Sequence, residues 1–245
     1  MRILLVNPNT NAAMTGAMAA SARAVASPGT EIVPLTPRFG ADAIDCNFES
    51  YLSAVAVMDA VSTVDTGFDA VVMAGFGEHG REGMQELVDV PVLDIAECAA
   101  HVAQLLGRTY SVVTTLRRSV GAIEDRLLLA GQRARCASVR ATGLGTAELD
   151  ADPDAAVAAV VEQARLAVEV DGAEVICLGC GGLAGLDEAI GARLGVPVVD
   201  GVTAAVRLAE AVVGLGLRTS KVCSYAPPPG NALTGWPLSH LGGAR

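Results

Sequence analysis

The sequence predicts an α/β protein of two pseudo-twofold-related halves, each a four-stranded parallel sheet flanked by helices, with the active site in the cleft between them. Three observations carry this. Short apolar runs of strand length alternate with longer helical stretches, the order expected of βα units. That order starts again near the middle of the 245 residues. Landmarks also recur at a nearly fixed distance. Cys180 follows Gly75 by 105 residues, Pro197 follows Pro91 by 106, Asp200 follows Asp94 by 106, and Thr114 follows Asn7 by 107. One unit repeated once at this length implies two similar halves. Residues 1–105 with 206–245 form the first half and 106–205 the second.

In the first half, Arg2–Val6 is an apolar strand stopped by Asn7-Pro8-Asn9-Thr10. Asn9 or Thr10 caps an Ala-rich helix that runs to about Ala26. Glu31–Leu35 is the second strand. Arg38–Asn47, rich in Gly, Asp and Ala, is a loop of the kind that closes over a site. Phe48–Thr63 reads as a helix, Asp69–Ala74 as a strand, and the stretch to Leu87 as a helix behind Gly75–Gly80. Val90–Leu93 is a short strand before the helix Ala96–Leu106. The second half repeats this: strand Tyr110–Val113 ending in Thr114-Thr115, helix Ser119–Ala130, strand Cys136–Arg140, loop Gly143–Asp152 and helix Pro153–Val170. Strand Ala173–Leu178, a helix from about Leu183, strand Val196–Val199 and helix Thr203–Leu215 complete it. The tail from Arg218, with Pro227-Pro228-Pro229, is irregular.

Composition narrows the function. Apolar residues make up 51% and aromatics 3%, so the core is Ala/Val/Leu and its helices pack closely. A net charge of −10 argues against a nucleic-acid partner, which needs basic patches. Met1–Asn9 turns polar too soon for a signal peptide, and no apolar run reaches the ~18 residues of a membrane span. A soluble, cytoplasmic protein with no membrane partner is expected, and a homo-oligomer stays open. The six cysteines are scattered rather than framed, so reduced thiols are the expectation. Cys177 and Cys180 form a CxxC. A redox CxxC opens a helix, whereas Cys177 lies inside the strand run. No second CxxC or nearby His completes a zinc set. No metal site is assigned, and Cys177 is a core residue.

The chemistry centres on Gly179-Cys180-Gly181-Gly182, where a parallel strand ends at the carboxyl edge of its sheet. Open α/β folds place their sites there. Glycines allow close approach, and a following helix start lowers a thiol's pKa and favours an anion beside it. A lone cysteine after a strand is ordinarily a small core residue; the repeat, which pairs Cys180 with position 75, favours a site. The cleft then draws on Asn7–Thr10, Gly75–Gly77, Thr114-Thr115 and Cys180–Gly182. Such a cleft offers one acid/base group to each face of a planar intermediate. A stereocentre beside a carbonyl is inverted by removing its proton on one face and returning one on the other, with backbone N–H groups holding the enolate oxygen. Neither metal nor cofactor is required, and no Walker loop or helix-opening GxGxxG is present.

MRILLVNPNT at the start, the AxFGxxG stretch Ala74–Gly80, DGAEVICLGCGG (Asp171–Gly182), GVPVVD (Gly195–Asp200) and TSK (Thr219–Lys221) together resemble the aspartate/glutamate/hydantoin racemase superfamily. The hydantoin and allantoin racemase branch fits best, over Met1 to about Tyr225. The resemblance implies cofactor-independent α-proton transfer by two cysteines, one after the third strand of each half. Cys180 matches the second. Gly75 stands where the first belongs, in a segment that branch members write ACFG. Three readings of Gly75 stay open: a racemase whose other position lacks its thiol, a one-cysteine arylmalonate-type decarboxylase, and an inactivated Cys-to-Gly or binding variant.

The substrate, a small molecule such as a hydantoin or amino-acid derivative, is expected to meet Asn9, Phe76, Gly77, Thr114, Thr115, Gly181 and Gly182 beside catalytic Cys180 and position 75. Asn9 and Thr10 are equally helix caps, and Phe76 equally a core residue. His79 and Glu78 lie close enough to replace a missing thiol, but a histidine near a helix start is ordinarily exposed, and that is the expectation for His79. Arg117 and Arg118 are read as solvated. His101, His240, Cys46, Cys98, Cys136 and Cys223 receive no role.

Overall fold

The computed structural model describes residues 1–145, 148 and 152–235. The first half runs β1 (Arg2–Val6), α1 (Ala12–Val25), β2 (Glu31–Leu35), α2 (Asn47–Ser62), β3 (Ala70–Met73), α3 (Arg81–Leu87), β4 (Val92–Asp94) and α4 (Ile95–Leu106). The second runs β5 (Tyr110–Thr114), α5 (Val120–Leu129), β6 (Cys136–Ala141), α6 (Pro153–Glu169), β7 (Val175–Leu178), α7 (Asp187–Leu194), β8 (Val198–Asp200) and α8 (Gly201–Gly214). The sheets have the orders β2-β1-β3-β4 and β6-β5-β7-β8, with every pairing parallel. β3, β5 and β7 are buried along their whole length and β1 along all but its first residue. Strands covered on both faces need continuous rather than alternating apolar residues, which is why these four read as apolar runs.

Strand order creates the site. From β1 the chain passes to β2 on one side and then to β3 on the other, so the carboxyl ends of β1 and β3 part at a topological switch point. β5 and β7 do the same in the second half. Val6 pairs with Met73 and Val113 with Leu178. The segments that follow these pairs, Asn7 and Ala74 in one half and Thr114 and Gly179 in the other, therefore emerge at equivalent points.

The halves meet along α4 and α8. Both bury small side chains, Ala96, Ala99, Ala100 and Ala103 on one and Ala204, Ala205 and Ala209 on the other, so the backbones approach closely. A Cβ at Gly201 would lie 2.6 Å from the Ile95 carbonyl oxygen. Ile95 and Gly201 open the two equivalent helices, so the pseudo-axis passes between them. α8 also packs on α1 and β3, and α4 on β7, which carries each helix across to the opposite half. Residue 206 lies inside α8. One apolar cluster runs through both sheets, from Ile3, Leu5 and Val72 to Tyr110, Val112 and Cys177. Beyond α8 the chain straps back onto the end of α3, where Lys221 Nζ donates to the carbonyls of Gln85 at 2.5 Å and Val88 at 2.7 Å. An ammonium there complements the carbonyl end of the helix. Among the described residues no helix is long and apolar enough to cross a membrane.

Local corrections to the sequence reading follow from hydrogen bonding. Asn11, not Asn9 or Thr10, caps α1, its Oδ1 accepting from the Met14 N–H at 3.1 Å. Asp94 and Asp200, partners in the repeat, cap α4 and α8. After Cys180 comes only a 3-10 turn, Gly181–Leu183, and α7 waits until Asp187. Two adjacent glycines weaken a helix start, and Gly185 at φ 83° interrupts it. Positions 146, 147 and 149–151 of the expected loop, and His240, lie outside the described residues.

Candidate active site

A cavity of about 610 Å³ opens between the two switch points. From the first half it is walled by Asn7–Asn9, the loop and helix start Ile44–Tyr51, and Ala74–His79. The second half adds Thr114, Thr115, the first turns of α5 and Gly179–Gly181. The structure thus brings together Asn9, Gly75, Phe76, Gly77, Thr114, Thr115, Cys180 and Gly181. Gly182 is set apart from the wall, and its N–H donates to Cys180 Sγ at 3.4 Å.

Asn7, fully buried at the end of β1, organises the first loop. Its Nδ2 donates to Asn9 Oδ1 at 2.8 Å and to Thr15 Oγ1 at 2.9 Å, while its Oδ1 accepts from the Asn9 N–H. Asn9 Oδ1 also accepts from the Asn11 N–H. Its role in the loop is therefore a turn linchpin as well as a cavity wall. In the second half Thr114 Oγ1 donates to the Gly179 carbonyl at 2.9 Å, which ties the end of β5 to the turn that carries Cys180. A side chain at Gly179 would strike Val112.

Gly181 marks where the loops of the two halves touch. A Cβ there would sit 2.8 Å from the Ala74 carbonyl oxygen and 2.7 Å from Met18 Sδ, so only glycine allows the approach. Cys180 and Gly75, each adjacent to one of these residues, are thereby held in one cavity. Cys180 is partly exposed to it. Phe76 is 9% exposed and belongs both to the core and to the cavity wall.

Position 75 is not empty space. A Cβ built there falls 2.2 Å from His79 Cδ2, 2.7 Å from His79 Nε2 and 2.8 Å from Pro8 Cγ. The imidazole of His79 occupies the volume that a residue-75 side chain would fill. The expected exposure of His79 is overturned: the ring lines the cavity and is partly buried. Burial lowers its pKa from 6.5 to about 4, with the Arg126 charge acting the same way and Asp94 opposing both. Ser50 Oγ donates its one hydrogen to the Glu78 carbonyl and lies 3.1 Å from His79 Nδ1. With that hydrogen committed, Nδ1 is the donor, and Nε2 carries the free lone pair.

Beside this turn is a charge cluster absent from the sequence reading. Arg126, from α5 of the second half, has a fully buried side chain. Its guanidinium reaches four carboxylates of the first half: Glu97 at 2.6 Å, Asp94 at 2.7 Å, Glu82 at 2.8 Å and Glu78 at 3.1 Å. Arg81 shares Glu97 at 3.1 Å. Glu78 also accepts from the Gly80 N–H at 2.8 Å. Burial raises the pKa of Glu78, which is committed to this cluster rather than to position 75. Cys46, at the start of α2, lines the cavity too. Arg118 is exposed at the rim and Arg117 is exposed, as expected. Cys98, Cys136 and Cys177 are buried, and burial raises the pKa of each. Cys46 and Arg126, to which the sequence assigned no role in the site, follow no local motif. Cys46 enters through loop geometry and Arg126 through the packing of one half on the other, while His79, weighed as a candidate, departs from expectation only in its burial.

The chain is similar to known proteins over most of its length. The sequence profile of the Asp/Glu/Hydantoin racemase family matches residues 3–209. A hydantoin racemase of Pseudomonas sp. (strain NS671) is 37% identical over 229 residues, 93% of this chain and 92% of the relative. The crystal structure of an allantoin racemase from Pseudomonas fluorescens is 63% identical and superposes with a TM-score of 0.95, covering 96% of this chain and all of that one. Arylmalonate decarboxylase, at 19% identity and a TM-score of 0.59 over 92% of this chain and 97% of its own, shares the fold alone. The two parallel sheets, the cleft at their switch points and this similarity lead to one conclusion: the chain belongs to the Asp/Glu/hydantoin racemase family.

Proposed function

We propose that this protein is a cofactor-independent racemase that inverts the ring stereocentre of allantoin or another 5-substituted hydantoin. The observation that supports it most is the lining of one cavity by Cys180 and position 75, each at the switch point of its own half. In this reading Cys180 serves one face of the substrate, and the carbon to be inverted lies between it and the Gly75 side. Removing the proton beside the ring carbonyl creates an enolate, whose oxygen needs donors. The backbone N–H groups of the loops after β3 and β7 are the candidates. The catalytic role of Cys180, the substrate contacts of Asn9, Phe76, Gly77, Thr114, Thr115 and Gly181, the support of Cys180 by Gly182, and a cytoplasmic location all belong to this proposal. The similarity to allantoin and hydantoin racemases supports the substrate class, because allantoin is itself a hydantoin bearing a ureido group.

The test is optical. One enantiomer of allantoin, and of a 5-alkylhydantoin, is incubated with the protein in D2O and followed by polarimetry and proton NMR. Loss of rotation with deuterium entering at the ring carbon is the expected result, and Cys180→Ser abolishes the loss of rotation. Retained rotation with no exchange overturns the reading, and release of CO2 from an arylmalonate instead establishes the decarboxylase.

A further inference from the structure

We propose that His79 is the second acid/base of this active site, working from the face that position 75 would otherwise serve. This rests on the racemase reading above, and four observations lead to it. The imidazole fills the space of the missing side chain, with Nε2 only 2.7 Å from where a residue-75 Cβ would be. Nε2 is also 3.3 Å from the corresponding point at Gly77, so the free lone pair lies along the glycine stretch of the cavity wall. Ser50, its own hydrogen committed to the Glu78 carbonyl, accepts a hydrogen bond from Nδ1–H and so favours the tautomer that leaves Nε2 basic. The turn itself is anchored to Arg126 through Glu78, so the ring is held rather than free to swing.

The proton balance closes without any further reactant. His79 Nε2 takes the proton from the ring carbon, and the C–H electron pair moves into the carbonyl as an enolate. The Cys180 S–H then delivers its proton to the opposite face as the pair returns to carbon. Imidazolium and thiolate remain, and one proton passed through solvent from the first to the second restores the resting pair. The other enantiomer runs through the same steps in reverse, from thiolate and imidazolium. A lowered imidazole pKa keeps His79 neutral at pH 7 and leaves Nε2 ready as a base.

The experiment compares His79→Gln, Cys180→Ser and the unaltered protein for inversion and for deuterium exchange, each on both enantiomers of allantoin. With one base left, a variant still removes and returns a proton on its own face. H79Q is therefore expected to lose inversion by about 10²–10⁴-fold while still exchanging the enantiomer whose proton faces Cys180. C180S is expected to exchange the opposite enantiomer. Inversion by H79Q within threefold of the unaltered protein overturns the assignment, and loss in Cys46→Ser alone would move the role to Cys46. Loss of exchange on both enantiomers in H79Q also overturns it, since a merely structural residue would act that way. A second variant covers failure of H79Q to fold. His79→Ala with Gly75→Cys vacates the ring and supplies a thiol, and it should invert at least tenfold faster than His79→Ala. No recovery in the folded double variant refutes the shared position. If the unaltered protein neither inverts nor exchanges allantoin, the racemase reading itself fails, a result distinct from all of these.

Discussion

Substituting Gly75 by alanine tests the packing of the site without reference to any substrate. The backbone at Gly75 lies outside the left-handed region, so φ alone would admit alanine. At such a position Gly→Ala ordinarily stabilises a protein by about 0.4–1 kcal/mol through the unfolded chain. Here the new methyl would sit 2.2 Å from His79 Cδ2, 2.7 Å from Nε2 and 2.8 Å from Pro8 Cγ, whereas ordinary contact begins near 3.4 Å. The imidazole must swing away from Ser50. The lost hydrogen bond costs about 0.5–1.5 kcal/mol, and overpacking adds about 1–3 kcal/mol. G75A should therefore lose about 2–4 kcal/mol in urea unfolding, opposite in sign to the usual effect. In a His79→Ala background only the Pro8 contact remains, and the same substitution should cost about 1 kcal/mol or less, a coupling of about 1–3 kcal/mol. Additivity of the two substitutions within about 0.5 kcal/mol would show that the ring does not occupy position 75.

Arg126→Ala leaves Asp94 and Glu97 with Arg81 alone, at 3.5 and 3.1 Å, and removing one partner of a buried ion pair costs up to about 3–5 kcal/mol. Urea unfolding of this variant should show the loss at pH 7 and a smaller one near pH 4.5, where Glu97, its pKa raised by burial, takes up a proton; a loss under 1 kcal/mol at pH 7 contradicts the cluster's role. Iodoacetamide at neutral pH should label Cys180, Cys46 and exposed Cys223 but spare buried Cys98, Cys136 and Cys177. A hydantoin bound in the cavity should protect Cys180 and Cys46 and leave Cys223 reactive, and label on Cys177 in the folded protein would be incompatible with this core. His79 gives the stability a pH dependence. The unfolded chain takes up its proton near pH 6.5 and the folded chain only near pH 4, so the contribution is present above pH 6.5 and lost as pH falls toward 4. The loss amounts to at most about 3 kcal/mol. Stability curves of H79Q and the unaltered protein should diverge over that window, and parallel curves would refute the buried neutral ring.

Much of the fold was legible because two parallel sheets buried on both faces write their strands as continuous apolar runs. The repeat offset alone paired Asp94 with Asp200 and position 75 with Cys180. It could not say what those pairings do. The aspartates turn out to be helix caps. The Cys180 turn departs from the expected α-helix start because no residue type announces the positive φ of Gly185 that interrupts it. Arg126 was invisible because its four partners sit 29 to 48 residues away, in the other half. Neighbours in the chain place His79 at a helix start, where a histidine is ordinarily exposed. Its surroundings are set instead by Ser50 and by the absence of a side chain at 75.

That absence changes what the pseudo-symmetry means. In a strict twofold site the two acid/base groups would occupy equivalent positions, as Gly75 and Cys180 do in the backbone. His79 has no such counterpart: 105 residues further on stands Ala184, beyond the 3-10 turn that follows Cys180. On the His79 assignment the scaffold is symmetric and the chemistry is not, with an imidazole on one face and a thiol on the other. Thermodynamics limits where this asymmetry can appear. Mirror-image substrates have equal free energies in solution, so kcat/KM must be the same in both directions at every pH. The unequal groups can differ only in how they hold each enantiomer and in how fast the bound complexes react. The asymmetry therefore belongs to kcat and KM taken separately, each differing between the enantiomers by the same factor, so that the two cancel in their ratio.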